Sequence, residues 1–282
     1  MLLRVAILLL ASMAVLAVLG YLGAGLIYAK VRLDAADSAL NTSVADQVGL
    51  APLINALKGG SAPVAAATLS AAELQHDRDV LAKFVTGSES GASQIEVDDQ
   101  SLADAAAGLA EDRWLTPLSG SAFDNASRRI AVERNVLADA RPIITDYVQI
   151  GGFFQSFADV EIDFYAISAS AQAHNLSAVE LEIAQVRSDT ARARSLDRAP
   201  GLPPEVDRLM NLIQVIGEDF SNLLNAALAH NASAFTSAEK SGRADIAKLQ
   251  AFDTRSIVIH VEAFYAPMIE AYNSDAAKAR AA

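Results

Sequence analysis

EVDRLMNLIQVIGEDFSNLLNAALAH, residues 205–230, carries Val206, Leu209 or Met210, Ile213, Ile216 or Gly217, Phe220, Leu223 or Leu224 and Leu228 at steps of three and four residues. That period puts the apolar side chains on one face of a helix and the charged ones on the other. Pro203 and Pro204 stand just before it, where a first helical turn accepts proline, and APGLPP (199–204) separates it from the preceding helix. The same pattern extends in both directions. Downstream, a last helix is expected over about 244–272, with Ile257, Val261, Phe264, Tyr265, Met268 and Tyr272 as its core stripe. Upstream, Ser177 and Glu180 form a capping box in SAVELEI, and residues 121–174 read as one long helical region with Pro142 and Gly151-Gly152 as kink points.

Further toward the amino terminus, Ser70 and Glu73 form another capping box, followed by Leu74, Leu81 and Phe84 on one face up to Gly87. A polar linker, GSESGASQIEVDD (87–99), and a short Ala-rich helix over 101–114 are expected next, with a break at 116–120. Gly and Pro are sparse and aromatics make up 6% of the chain, a balance that favours helix over sheet. The fold class is therefore all-α, with a bundle of about six helices over 70–282 that divides, if anywhere, near 199–204.

Residues 1–69 read differently. From Val5 to Ala29 there is no charged residue, and Arg4, Lys30 and Arg32 bracket the run. It is long enough to span a hydrocarbon core of about 30 Å, so residues 1–32 are expected to be a transmembrane signal anchor. A cleaved signal peptide is the alternative, giving a secreted product, but its apolar centre is normally shorter. Long following regions translocate largely regardless of charge, which places the amino terminus in the cytoplasm and the bulk outside, periplasmic in a Gram-negative cell. Leu33, Ala36, Leu40, Val44 and Val48 then suggest an amphipathic stalk over 33–58, and Gly59-Gly60 and Pro63 mark a linker over 59–69.

Composition excludes several functions. A net charge of −12 opposes nucleic-acid binding, and the absence of cysteine removes disulfides, thiolate nucleophiles and Cys-based metal sites. His76, His174, His230 and His260 lack the three- or four-residue spacing that puts two ligands on one helix face. Walker, G-x-S-x-G and H-E-x-x-H motifs are missing. No cofactor or metal and no enzyme activity is expected.

Three surfaces remain. Within the apolar run, Gly20 with Ala24 and Gly25 with Ala29 have small-x-x-x-small spacing, which permits close helix approach in a bilayer. Arg187, Arg194 and Arg198 fall at i, i+7 and i+11, a face for an anionic ligand or partner, although Asp189 with Arg192 and Arg194 with Asp197 are also spaced for local pairing. In FFQSFADVEIDFY (153–165), Glu161 lies beside an aromatic stripe between Phe157 and Tyr165, where burial would raise its pKa; the competing reading has it reaching water at the edge of the core. Asn41, Asn125, Asn175 and Asn231 stand in N-x-S/T sequons; three of the four also stand beside expected helix boundaries, and capping is the economical explanation. In layout the chain is similar to the ligand-sensing helical domains of bacterial membrane receptors, without an output module. The function expected is an interaction or accessory subunit of a membrane assembly, with a protein partner or homo-oligomer. A helical domain that senses a ligand or carries a lipid or small molecule is the alternative.

Overall fold

The computed structural model describes the backbone of residues 2–57 and 70–281 and the side chains of residues 20–57 and 70–281. Its helices are α1 (Leu2–Ile54), α2 (Ala71–Ala110), α3 (Gly120–Gln172), α4 (Leu176–Ser195), α5 (Glu205–Leu228), α6 (Ala232–Gln250) and α7 (Thr254–Ala281), with a 3₁₀ turn at Arg113–Leu115. No strand occurs among the described residues, so the chain is all-α. Among those residues no helix is long and apolar enough to cross a membrane. The side chains of Val5–Leu19, most of the expected span, lie outside the described residues, as does the expected linker 59–69.

The chain forms two compact units. The first comprises Met1–Ala51, Ser93–Arg141 and Glu270–Ala282, and the second Pro52–Ala92 and Pro142–Ile269. The chain changes unit within α1, α2, α3 and α7, each time inside a helix. Pro52 and Pro142 open the second unit's two segments and Pro267 lies near its end. An interior proline removes one i→i−4 hydrogen bond, yet each of these helices continues through it. The segment 199–204, where a division was expected, is internal to the second unit.

In the first unit the buried positions follow a heptad repeat. Ala29, Ala36, Ser43 and Leu50 are seven apart in α1, interleaved with Leu40 and Gln47, and Phe123, Ile130 and Leu137 repeat the interval in α3. This is the 3.5-residue period of helices that pack along their length. The expected stalk is therefore part of a packed bundle, and its buried face departs from the apolar stripe after Leu40. Val48 is 67% exposed while Ser43 and Gln47 are buried. The reason is Glu133 of α3, 1% exposed, whose Oε1 accepts from Ser43 Oγ at 2.7 Å and Gln47 Nε2 at 2.6 Å. Burial holds the Glu133 carboxyl above its ordinary pKa.

The linker expected at 87–99 is absent. Leu74, Leu81, Ser88, Ile95, Leu102 and Leu109 are all buried and seven residues apart, so one uninterrupted 40-residue helix presents them. The Ser70–Glu73 capping box does form: Ser70 N donates to Glu73 Oε2 at 2.7 Å and Glu73 N to Ser70 Oγ at 3.3 Å. Gly151-Gly152 does not break α3 either, and Phe84 and Val85 of α2 pack on Gly151.

Two helix junctions in the second unit share one construction. Residues 173–178, AHNLSA, and 229–234, AHNASA, each place His in the left-handed region, at φ 56° for His174 and 49° for His230. Asn175 N then donates to Ser170 O and Asn231 N to Ala226 O, the six-to-one bond of a Schellman motif. The Asn side chains cap the following helices by accepting from Ala178 N and Ala234 N. Asn175, rather than Ser177, is therefore the cap of α4. Asn41 and Asn125 lie inside α1 and α3.

The expected last helix is divided at 251–253, where Asp253 accepts from Ser256 N at 3.2 Å to start α7. Within α7, Tyr265 is fully buried whereas Phe264, expected in the core, is 43% exposed. Gly201, at φ +82°, lies so close to the Tyr265 ring that a Cβ would meet Cε2 at 2.8 Å. Tyr265 Oη is also 2.9 Å from the Pro200 carbonyl.

Candidate ligand-binding site

In the second unit α3, α5, α6, the turn before α7 and its first residue line a partly open pocket of about 310 Å³. Helix α3 contributes Phe157, Val160, Glu161, Phe164 and Ser168. Opposite stand Ile213, Ile216 and Phe220 of α5, then Ile246, Leu249 and Gln250 of α6, with Phe252 and Thr254 closing one side. Phe164 and Phe220 meet with ring centroids 5.7 Å apart. Such a volume lies at the lower end of the range for small-molecule pockets, which are mostly apolar with a few placed polar groups.

Glu161 is the one ionisable side chain in that lining. It also lines a second space of about 20 Å³, among Leu74, Asp77, Phe153 and Ile257, which is large enough for a single water. Its Oε2 is buried without a hydrogen-bond partner. Burial, with repulsion from Asp77 adding to it, raises the carboxyl from an ordinary value near 4.5 to about 7. Near neutral pH it is therefore poised between a carboxylic acid that donates a hydrogen bond and a carboxylate that attracts a cation.

Beside the cavity, charged side chains tie three helices together. Asp159 of α3 accepts from Arg78 of α2 at 3.0 Å and lies 3.5 Å from Arg192 of α4, which also meets Asp189 at 3.0 Å. Asp163 is raised above its usual range, first by burial and then by the neighbouring carboxyls of Asp189, Asp159 and Glu182.

The site residues expected from sequence divide accordingly. Glu161 and Phe157 line both spaces, whereas Tyr165 is 50% exposed and lines neither. Two residues of the expected arginine face, Arg187 and Arg194, both turn to α5. Arg187 donates to Ser221 at 2.6 Å and Arg194 to Gln214 at 2.7 Å, both on α5, and Arg198 lies beyond the end of α4. These arginines join α4 to α5, and Arg194 reaches Asp207 instead of Asp197. Of the small residues in α1, Gly20 and Ala24 are exposed, but Gly25 and Ala29 are buried by the chain itself. The carbonyl of Leu115 occupies the space beside Gly25. Gly25 and Ala29 are thus filled from within and present no face to another helix.

Ile246, Leu249, Phe252 and Thr254 were not singled out from sequence. Ile246 and Leu249, the only large aliphatic residues of α6, are the signal that could have pointed to them. Among the described residues no group of three or more His, Asp or Glu is placed to hold a metal ion. Compared with protein-family models, curated proteins and solved structures, the chain matches none.

Proposed function

We propose that this chain is a single-pass membrane-anchored protein whose extracytoplasmic helical region binds a small, largely apolar molecule in the α3–α5–α6 cavity. The ligand class is an apolar body with one amine or other polar end, the body among Phe157, Phe164 and Phe220 and the polar end at Glu161. The single observation that carries this reading is the 310 Å³ aromatic-lined space with one buried, unpaired carboxyl oxygen in its wall. Ser168 and Gln250, exposed at its mouth, leave the aromatic lining open to a solute, as in small-molecule pockets. Binding is favoured over catalysis because no His, Lys, Arg or Asp shares the lining with Glu161.

The anchor reading is supported by the uncharged run Val5–Ala29 at the start of α1. The bulk is placed outside because long regions cross regardless of their charge. A partner helix is the second reading. Gly20 and Ala24 are exposed, and Ile27 and Val31 continue their stripe at 70% and 61% exposure. That stripe fits an accessory-subunit or homo-oligomer role, which is compatible with ligand binding.

The test is native mass spectrometry of the full chain purified from its own membranes in mild detergent. A bound small molecule is expected, and Ser168→Phe, which fills the cavity, is expected to release it while the helical circular dichroism is retained. A ligand that stays bound in Ser168→Phe, or a wild-type chain that carries none and shows no thermal shift with any of a panel of amphiphilic amines, would sink the binding role.

A further inference from the structure

The turn between α2 and α3 carries two exposed apolar side chains, Trp114 at 68% and Leu118 at 66%. Both belong to the first unit, and the turn is fastened to α1. The Trp114 ring stacks on Tyr21 with centroids 6.4 Å apart, and the Tyr21 hydroxyl donates to the Trp114 carbonyl. The Leu115 carbonyl fills the space beside Gly25, and Arg32 reaches Glu111 at 2.7 Å. Along α1 the turn therefore lies level with residues 21–32.

We infer that this turn is a second membrane contact, with Trp114 and Leu118 inserted in the interfacial layer of the leaflet from which α1 emerges. The inference rests on the anchor proposed above. The uncharged run is 25 residues long, or about 37 Å at the helical rise, while the hydrocarbon core is about 30 Å thick. About 7 Å of apolar helix is left over, nearly five residues, which puts 25–29 in the headgroup layer. The turn is fastened across that layer, from Tyr21 about one helical turn inside it to Arg32 beyond it. Trp and Tyr favour this depth because their rings are apolar and their polar ends can stay wet. The Trp114 indole N–H has a polar partner in Asp112 at 3.3 Å, and Leu26 is also exposed on α1 here, at 52%. Lys30, Arg32 and Arg113, paired with Asp34, Glu111 and Asp124, stand at the watery limit.

Trp114 is the only tryptophan in the chain, so its emission reports this position alone. In the full chain reconstituted into phospholipid vesicles, Trp114 emission is expected to be blue-shifted from its value in the urea-unfolded chain. Lipids carrying a nitroxide near the top of the acyl chain should quench it more than lipids labelled at the chain end, and aqueous iodide should quench it little. Emission quenched by iodide and untouched by labelled lipid overturns the inference. Protection from both quenchers also overturns it, because a protein contact is then covering the ring. Because the chain has no cysteine, Leu118→Cys labelled with an environment-sensitive dye gives an independent reading, and no gain of emission on reconstitution counts against the contact. Alkaline extraction separates this from the anchor itself. A chain that stays in the pellet while Trp114 remains water-accessible loses only the turn contact, whereas a chain released to the supernatant loses both.

Discussion

Glu161 gives the molecule its clearest pH signature. Its folded pKa, about 7, is raised above the ordinary value near 4.5, so the folded chain binds more protons than the unfolded chain between those limits. Stability is therefore expected to fall as pH rises from about 4.5 to 7, by up to about 3 kcal/mol from this residue. Glu161→Gln should flatten that part of the profile and leave the variant more stable than wild type at pH 8, as measured by urea unfolding of the full chain in detergent. Asp163, also raised by burial and by Asp189, adds a slope of the same sign, so the variant keeps a residual dependence. An identical profile for the two chains would mean that Glu161 is ionised and solvated in the folded state. The closeness of Glu161 to an aromatic stripe was legible in FFQSFADVEIDFY, because i, i+3 and i+4 neighbours share a face. Its place in a cavity was not, since Ile213 and Phe220 come from α5 and Leu249 from α6, and each reads as ordinary core.

At the level of elements, some helix starts were legible. Ser70 with Glu73 caps α2 as expected, whereas α4 is capped by Asn175 in place of Ser177, and α6, capped by Asn231, was not expected as a separate helix. Helix interiors were less so. Gly87, Ser88 and Gly91 resemble a linker by local propensity, but Ser88 sits at a heptad position between Leu81 and Ile95, and packing along α2 overrides the preference. Ser43 and Gln47 were missed for the same reason: a polar residue in a buried seam needs its partner, Glu133, to be recognised. The paired AHN junctions offer a test at this scale. A side chain in the left-handed region costs roughly 1 kcal/mol relative to glycine. His174→Gly and His230→Gly should therefore each stabilise the chain by about that amount. A loss of stability in thermal unfolding would show that the imidazoles make contacts worth more than the strain.

At the scale of the whole molecule, the all-α class was legible from propensity and period alone, whereas the two units were not. They are assembled from segments far apart in the sequence, and although Pro52 and Pro142 stand at two of the crossings, each helix continues through its proline, so nothing in the sequence announces a change of unit. The exposed stripe of Gly20, Ala24, Ile27 and Val31 belongs to this scale because it concerns assembly. Replacing Gly20 and Ala24 together by Leu is expected to weaken co-purification of a partner, or self-association seen by crosslinking, without altering membrane extraction. Unchanged association would assign the stripe to lipid or solvent.

The passage of the chain between units only through helix interiors also bears on how the molecule can be cut. The described connections between helices, 111–119, 173–175, 196–204, 229–231 and 251–253, each fall within a single unit. A protease acting at those turns therefore nicks a unit rather than releasing one. Neither unit corresponds to a contiguous stretch of gene, so neither can be expressed as a simple fragment, and recombination cannot exchange either one as a cassette.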